Sequence, residues 1–302
     1  MSVFFSSEIL LITSFRIGFE RASQPSVNEE LKRNLLHFAV VGAGPTGIEF
    51  SAELYDFVTS DMSKLYPELA KRVTMTVYDV APTILSTFDQ QLGDYAKQRF
   101  LRRGIRLKLG TPVREVRSDT IELVDGTVTP YGLLVWSTGL TAHPLVQSLE
   151  VAKDKSQRIL TDGFMRVLDP QNKPLENVYA LGDCANILDY NLPQTAQVAK
   201  QKGIYLAKQL NTMADNLDKP LDREKLKPFS YADMGSMAYI GGWRAVANLK
   251  SAQSQSQLTG PFAWFLWRSA YMTMTVSWKN KVLIPMYWFL TWAFGRDISR
   301  IK

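Results

Sequence analysis

A glycine-rich turn between a buried strand and an amphipathic helix constrains the fold more than any other feature of this 302-residue chain. Residues 42–47 are Gly-Ala-Gly-Pro-Thr-Gly. They follow an apolar run at residues 35–41, which we predict to be a buried strand, and they precede apolar residues at helical spacing in residues 47–59. Strand, Gly-x-Gly-x-x-Gly turn and helix in this order predict an α/β fold, opening with a doubly wound domain of the Rossmann type.

Each glycine of the turn has a physical role in binding a dinucleotide. Gly42 makes the tight turn, Gly44 lets a pyrophosphate approach the backbone, and Gly47 allows the helix to pack closely on the strand. The N-terminus of the predicted helix, which follows Pro45 and Thr46 of the motif, offers unpaired N–H groups and a partial positive charge to the phosphates. We therefore predict a dinucleotide site at residues 42–47.

An acidic residue closes the second predicted strand, residues 73–78. The carboxylate of Asp79 can accept hydrogen bonds from the adenosine ribose hydroxyls, and it would repel a 2′-phosphate. The sequence thus favours NADH over NADPH. In the alternative interpretation, the glycines form a plain tight turn and Asp79 is a solvated strand end, which the full context makes less favourable.

The pattern of alternating elements continues beyond the turn. We predict a helix at residues 96–101 and strands at 105–109, 120–124, 127–129 and 133–136. The pattern restarts after Gly139, with strands at 159–161, 164–167 and 177–181, a helix from Pro193 to about Leu210, and a polar linker at 211–228. Strand-like segments at 238–240 and 245–249 begin the tail.

The tail is basic and aromatic. Residues 226–302 contain nine Lys or Arg against two acids, and six of the seven Trp. This composition indicates an anionic surface as partner, either membrane headgroups or nucleic acid, and no nucleic-acid motif is present. Its last apolar stretch, residues 282–295, is too short to span a bilayer, and Pro285 is expected in a first helical turn. We expect helices lying on a membrane; a buried hairpin is the alternative. One aromatic stripe at helical spacing is Trp264, Trp267, Tyr271, Met274 and Trp278.

Cysteine and histidine usage excludes several classes of site. Cys184 is the only cysteine, so neither an intrachain disulfide framework nor the redox pair of a flavin disulfide reductase can form. We expect Cys184 to be a small buried residue. His37 lies in a predicted core strand, and with His143 it shows no ligand spacing, so no metal site is expected.

Six segments in a fixed order resemble the type II, or alternative, NADH dehydrogenases of fungal and plant mitochondria. They are LLHFAVVGAGPTGIEFSAELYDF (35–57), LLVWSTGL (133–140), NVYALGDCA (177–185), LPQTAQVAKQKGIYLAK (192–208), FSYADMGSMAYIGGWRAV (229–246) and WRSAYMTMTVSWKNKV (267–282). The resemblance implies a FAD domain split by an inserted NADH domain, with a C-terminal region docked on the membrane. It assigns residues 1–34 to a FAD-domain remnant, 35–139 to the NADH domain, 140–225 to the C-terminal part of the FAD domain, and 226–302 to the membrane-associated region.

The resemblance also implies roles for individual residues. Glu49 matches a glutamate near the nicotinamide and quinone ends of the catalytic cleft, although a first-turn acid favourable to the helix dipole is the simpler interpretation without the family. Thr138 and Gly139 match the return to the flavin domain. Gly182 and Asp183 match the second flavin motif, in which the aspartate accepts hydrogen bonds from ribityl hydroxyls.

The quinone site is implied on the helix after Asp183. Ala196, Gln197 and Gln201 match the family's motif, and Gln194, Gln197 and Gln201 fall at i, i+3 and i+7, on one helical face. Neutral amides can donate to quinone carbonyls without placing a charge in an apolar slot. Lys200 stands where some relatives carry histidine. An exposed polar face is the alternative.

The implied activity is transfer of electrons from NADH through FAD to ubiquinone, without proton pumping, by a peripheral protein of the mitochondrial inner membrane. A homodimer is expected from the family alone. Residues 1–34 contain only Gly18 and no first FAD turn. Two expectations follow: the chain is a fragment or truncated form, or it does not bind FAD stably. The competing hypothesis is a catalytically impaired remnant that binds NADH without turnover.

Overall fold

The computed structural model describes residues 15–215, 227–250, 255–275 and 277–296. Its central feature is a parallel four-stranded sheet in the order β3-β2-β1-β7. The strands are β1 (His37–Val41), β2 (Thr74–Asp79), β3 (Arg106–Leu109) and β7 (Leu133–Trp136). Every residue of β1 is buried, because a central parallel strand is covered on both faces. The expected doubly wound α/β fold is confirmed.

Helices pack around this sheet. They are α1 (residues 15–22), α2 (Glu29–Leu35), α3 (Pro45–Phe57), α4 (Ser63–Leu65), α5 (Pro67–Ala70) and α6 (Gln90–Arg102), and α3 continues into a π-helical segment at Val58–Met62. The helix predicted at residues 96–101 is longer at its N-terminus, where the Asp89 carboxylate accepts a hydrogen bond from Gln91 N and caps α6.

A small antiparallel sheet is inserted before β7. It contains β4 (Val113–Val116), β5 (Thr120–Leu123) and β6 (Val128–Pro130) in the order β4-β5-β6. Strands β5 and β6 form the predicted hairpin. Strand β4 was not predicted, because its residues are mostly exposed and show no alternation of apolar and polar side chains.

The chain divides into two compact units, residues 1–138 with 234–302 and residues 139–233. The second unit contains α7 (Pro144–Ser148), α8 (Ala196–Asp215), β8 (Ile159–Thr161), β9 (Arg166–Leu168), β10 (Pro174–Tyr179) and β11 (Ala185–Ile187). Its sheet has the order β10-β9-β8-β11. Residues 211–215 of the predicted linker extend α8, and residues 216–226 lie outside the described residues. The four segments proposed from the sequence are defined by the cofactor or membrane that each would contact. The division into two compact units does not test those assignments.

Residues 234–302 of the tail belong to the first unit. They form an antiparallel sheet of β12 (Gly235–Tyr239), β13 (Ala245–Lys250) and β14 (Gln255–Gly260), followed by α9 (Pro261–Met274) and α10 (Trp278–Phe294). Two expectations were wrong: Trp278 begins α10 and does not extend the stripe on α9, and Pro285 lies inside α10. Among the described residues, neither α9, α10 nor any other helix has the length and apolar content needed to cross a bilayer.

Candidate functional site

The glycine-rich turn connects β1 to α3. At two of its positions, Gly42 and Gly47, only glycine fits. Gly42 has a φ of 110°, and a Cβ there would lie 2.3 Å from the carbonyl oxygen of Ser137. A Cβ on Gly47 would lie 1.9 Å from the carbonyl oxygen of Gly42. Gly44 differs from both, since a Cβ there would meet no atom within 4 Å. The turn is therefore closed toward the protein and open in front of Gly44.

The first turn of α3 is available to an anion. Gly44 is its N-cap and supplies no side-chain capping hydrogen bond, while Pro45 lacks an N–H group of its own. Pro45 and Thr46 are exposed. The unpaired N–H groups that follow, together with the positive end of the helix dipole, favour a phosphate at this point. The side chain of Thr138 lies beside the turn, with Cγ2 3.2 Å from the position of a Cβ on Gly42.

Asp79 ends β2 next to the same turn. Its Oδ2 accepts a hydrogen bond from Ala43 N at 2.5 Å, and its Oδ1 accepts one from Ala81 N at 2.7 Å. The carboxylate thus holds the turn against β2, a role that the sequence analysis did not assign. Since each carboxylate oxygen can accept more than one hydrogen bond, Asp79 keeps capacity for a ribose hydroxyl.

Glu49 lies in the second turn of α3 and contacts the tail. Its Oε1 accepts hydrogen bonds from Tyr239 N and from Trp267 Nε1, each at 3.0 Å. Burial raises the pKa of Glu49, and the two hydrogen bonds oppose the shift only in part. The structure therefore shows Glu49 as a partly buried carboxyl group bonded to residues far along the chain.

We predict that Glu49→Gln flattens the pH dependence of stability. Because the pKa of Glu49 is raised in the folded state, the folded chain retains a proton that the unfolded chain has lost above pH 4.5. The free energy of unfolding therefore falls as pH rises from 4.5 through the folded-state pKa, and the amide removes this fall. Urea titrations across this range measure it, with the exposed Glu30→Gln as control. Profiles of equal slope in the wild type and Glu49→Gln would contradict the prediction.

Asp56 holds the tail to α3. Its Oδ1 pairs with Arg103 Nη1 at 3.0 Å, and its Oδ2 accepts hydrogen bonds from Tyr239 Oη at 2.6 Å and Gly242 N at 2.9 Å. The side chains of Asp56 and Arg103 are 20% and 12% exposed. This network was not predicted, since an acid on a helix is usually solvated and the partners of Asp56 are distant in sequence.

In the second unit, Gly182 and Asp183 lie between β10 and β11. Gly182 has a φ of 84°, and Asp183 is exposed. The carbonyl oxygen of Asp183 accepts a hydrogen bond from Gln194 Nε2 at 2.7 Å. Because α8 begins at Ala196, Gln194 precedes the helix. The prediction that Gln194 shares one helical face with the later glutamines was therefore wrong.

Gln197 and Gln201 lie one turn apart on α8, and both bond to the segment that precedes β12. Tyr231 Oη donates to Gln197 Oε1 at 2.5 Å. Gln201 exchanges two hydrogen bonds with the backbone of Ala232, at 2.9 Å and 3.0 Å. The structure thus brings the two predicted glutamines together, with amide groups that already have protein partners.

A buried cation on α8 was also missed. Lys202 is 1% exposed and lies between the buried Val198 and Leu206 at a spacing of four residues. Burial lowers the pKa of Lys202, and the nearby Arg158 lowers it further. Arg158 and Lys202 line the same small pocket as Asp183. The four-residue spacing would have revealed Lys202 as a core position.

His37 and Cys184 were both expected to be buried residues without a catalytic or metal-binding role, and the structure agrees for the burial of His37 only. His37 is buried in β1, with ring nitrogens 2.6 Å from Pro130 O and 2.9 Å from Thr76 Oγ1. Cys184 is exposed, so the expectation of a buried cysteine was wrong. The described part of the chain contains no group of three His, Cys, Asp or Glu side chains placed to hold a metal ion.

The two terminal helices expose a broad apolar surface. No described residue of α10 is buried, so the alternative of a buried hairpin was wrong. The exposed residues of this apolar surface are Phe262, Phe265, Tyr271, Met274, Trp278, Val282, Met286, Tyr287, Phe289, Leu290, Trp292 and Phe294. A concentration of exposed apolar side chains on two neighbouring helices is typical of an interaction site.

Comparison with known families divides the chain in two. Residues 17–203 match the pyridine nucleotide-disulphide oxidoreductase family, and residues 234–297 match the NDH2 C-terminal domain. Among solved structures, NDH2 from Plasmodium falciparum in complex with NADH superposes with a TM-score of 0.83 at 23% identity. The match covers 95% of this chain and 72% of that one, and it shows the shared fold.

Curated relatives match almost the whole chain. The internal alternative NAD(P)H-ubiquinone oxidoreductase A1 of Arabidopsis thaliana mitochondria is 40% identical, over 92% of this chain and 55% of the relative. A probable NADH dehydrogenase of Dictyostelium discoideum is 42% identical over 93% and 59%, and external NADH-ubiquinone oxidoreductase 2 of Saccharomyces cerevisiae mitochondria is 36% identical over 93% and 55%. The chain thus spans somewhat more than half the length of these relatives.

Proposed function

Because the chain belongs to the pyridine nucleotide-disulphide oxidoreductase family, and within it to the type II NADH:ubiquinone oxidoreductases, we propose that it acts in the oxidation of NADH by ubiquinone. The observation that carries the proposal is the open turn at Gly44, at the N-terminus of α3 and beside Asp79. In this arrangement a pyrophosphate would lie on backbone N–H groups and a ribose on a carboxylate. The 2′-phosphate of NADPH would meet the charge of Asp79.

The second unit fits part of a FAD site. Gly182 has the left-handed backbone that a tight turn needs, the carboxylate of Asp183 is exposed, and Ala196 at the start of α8 is exposed. Asp183 would accept hydrogen bonds from ribityl hydroxyls, and the N-terminus of α8 would present its partial positive charge to the flavin. When bound, FAD supplies the acceptor for the hydride of NADH and the donor for the quinone. Thr138 and Gly139 would connect the two cofactor regions.

Glu49, Gln197 and Gln201 are the proposed polar groups of the reaction. Since Glu49 Oε1 accepts two hydrogen bonds, the proton of its neutral form resides on Oε2, from which it could be exchanged with a reacting group. Gln197 and Gln201 would exchange their present protein partners for the quinone carbonyls. The apolar surface of α9 and α10 would lie on the membrane, which we propose to be the mitochondrial inner membrane.

The proposal is tested by NADH titration and flavin absorbance on the purified full chain. We expect NADH to quench the intrinsic fluorescence with saturation, and NADPH to bind at least roughly tenfold more weakly because of charge repulsion at Asp79. In protein that retains FAD, NADH should bleach the flavin and a water-soluble ubiquinone should restore its colour. Failure to bind NADH would exclude the proposal. NADH binding without flavin would support only a dinucleotide-binding role.

A further inference from the structure

Four arginines meet between α6 and the turn that joins β12 to β13. Arg99, Arg102 and Arg103 lie in or directly after the last turn of α6, and Arg244 precedes β13. We call these four the arginine cluster. Burial lowers the pKa of Arg99, and repulsion from Arg244, Arg103 and Arg102 lowers it further. Neighbouring like charges raise the free energy of the folded chain unless an anion is present.

Among the described residues, only Arg103 of the four has a carboxylate partner. Asp56 forms an ion pair with Arg103, and Arg244 Nη1 lies 3.3 Å from the uncharged Tyr95 Oη. Within residues 15–215, 227–250, 255–275 and 277–296, Arg99, Arg102 and Arg244 form no ion pair, and the buried Nε of Arg99 has no hydrogen-bond partner. The cluster therefore retains uncompensated positive charge and at least one unused donor.

The helix dipole explains only some of the four arginines. Basic residues at the C-terminal end of a helix interact favourably with its dipole, which explains arginines on the last turn of α6. It does not explain why Arg244, on another element, adds a like charge at the same place. It also leaves the Nε of Arg99 without a partner.

Part of the cluster is accessible to a ligand, since Arg102 is exposed and Arg99 and Arg244 are half-buried. Gly241 and Gly242 have φ values of 81° and 60°, and a Cβ on Gly241 would lie 2.0 Å from Arg103 Nη1. The backbone of the turn thus lies directly on the guanidinium, and the two glycines place no side chain over it. Bare backbone beside several guanidinium groups suits a ligand that accepts many hydrogen bonds.

The cluster borders the apolar surface defined above. Trp243, adjacent to Arg244, is 54% exposed, and its ring centroid lies 4.9 Å from that of Trp264 on α9. On α9 the neighbouring Phe262 and Phe265 are exposed. Tryptophan and arginine next to exposed apolar side chains is the composition found at the depth of lipid headgroups.

We propose that the arginine cluster binds the phosphate groups of anionic phospholipids when the apolar surface of α9 and α10 lies on a membrane. The inference rests on the membrane docking proposed above and adds the lipid class and the residues that select it. Guanidinium groups bind phosphate oxygens through paired hydrogen bonds, which a neutral surface would not require. The adjoining apolar surface favours a lipid over a nucleic acid.

The test is flotation of the full chain with vesicles of phosphatidylcholine alone and of phosphatidylcholine with phosphatidylglycerol. We expect the wild type to prefer the anionic vesicles. Arg99→Gln together with Arg244→Gln should weaken binding to anionic vesicles about 25-fold, roughly fivefold for each arginine, and leave binding to neutral vesicles unchanged. The matched control, Arg114→Gln with Arg117→Gln, removes two exposed arginines near β4 and should change binding less than about twofold.

Each other outcome is decisive. Equal loss in the two double variants would reduce the effect to net charge and overturn the inference, as would equal binding of the wild type to both vesicle types. A short DNA duplex serves as a second probe. If Arg99→Gln with Arg244→Gln lost binding to the duplex but not to anionic vesicles, the cluster would be assigned to nucleic acid and the inference would be overturned. Should the double variant unfold, Arg99→Lys with Arg244→Lys keeps the charge and should lose part of the anionic preference. Absence of all vesicle binding, with NADH binding intact, would overturn docking and this inference but not the dinucleotide site.

Discussion

Replacement of Gly47 by Ala is expected to abolish NADH binding and to destabilise the folded chain by about 3 kcal/mol. The added Cβ would lie 1.9 Å from the carbonyl oxygen of Gly42, which is backbone and cannot rotate away. Either α3 shifts from β1 or the turn opens, and both movements displace the N–H groups proposed to bind the pyrophosphate. Urea unfolding measures the stability, and fluorescence titration with NADH measures the binding.

Gly44→Ala separates binding from folding at the same turn. Gly44 is extended, with φ −70° and ψ 179°, and a Cβ there meets no atom within 4 Å, so the free energy of unfolding should change by less than about 0.5 kcal/mol. The methyl group would occupy the space proposed for the pyrophosphate, and NADH binding should weaken at least about tenfold. Gly203→Ala in α8 also meets no atom within 4 Å and should leave NADH binding unchanged. Normal NADH binding by Gly44→Ala would show that the pyrophosphate does not approach this glycine.

The parallel sheet could be predicted from sequence because its strands carry a local signal. Strand β1 is buried along its whole length and ends at a glycine turn, so its apolar run is continuous. Strands β4 and β14 were missed: β4 is mostly exposed, and β14 consists of Gln, Ser, Leu, Thr and Gly. Such strands form because a neighbouring strand offers hydrogen bonds, which no pattern within their own residues reveals.

The candidate site also contains some features that the sequence predicts and others that it does not. The turn at Gly42 and Asp79 was visible locally, because a short motif must satisfy the turn, the helix and the strand together. The partners of Glu49 were not visible, since Trp267 lies 218 residues further along the chain. The arginine cluster likewise forms only when the turn at Gly241 reaches α6. Tertiary contacts of this kind leave no periodicity in the sequence.

The largest stability loss outside the glycine turn is expected for Asp56→Ala, at about 3 to 5 kcal/mol. The variant leaves Arg103 without its carboxylate partner, and Tyr239 Oη and Gly242 N lose their acceptor. An unpaired charge and two unpaired donors then remain in a largely buried position. Urea unfolding followed by tryptophan fluorescence measures the loss, since Trp243 and Trp267 lie in the tail that Asp56 holds.

Two controls fix the cause. Glu115→Ala removes an exposed ion pair with Arg117 and should cost less than about 1 kcal/mol. Asp56→Ala combined with Arg103→Met should recover part of the loss, because the unpaired charge is then absent. A loss in Asp56→Ala no larger than that in Glu115→Ala would show that this network does not hold the tail.

The same substitution also acts on the arginine cluster, and with the opposite sign. Asp56 is the carboxylate that neutralises Arg103, so its removal adds one uncompensated positive charge beside Arg99 and Arg244. Under conditions where Asp56→Ala remains folded, it should bind phosphatidylglycerol vesicles about fivefold more tightly than the wild type. General loosening of the tail would expose apolar side chains and increase binding to neutral vesicles equally. A gain confined to anionic vesicles therefore indicates that the uncompensated charge of the cluster acts on the anionic lipid.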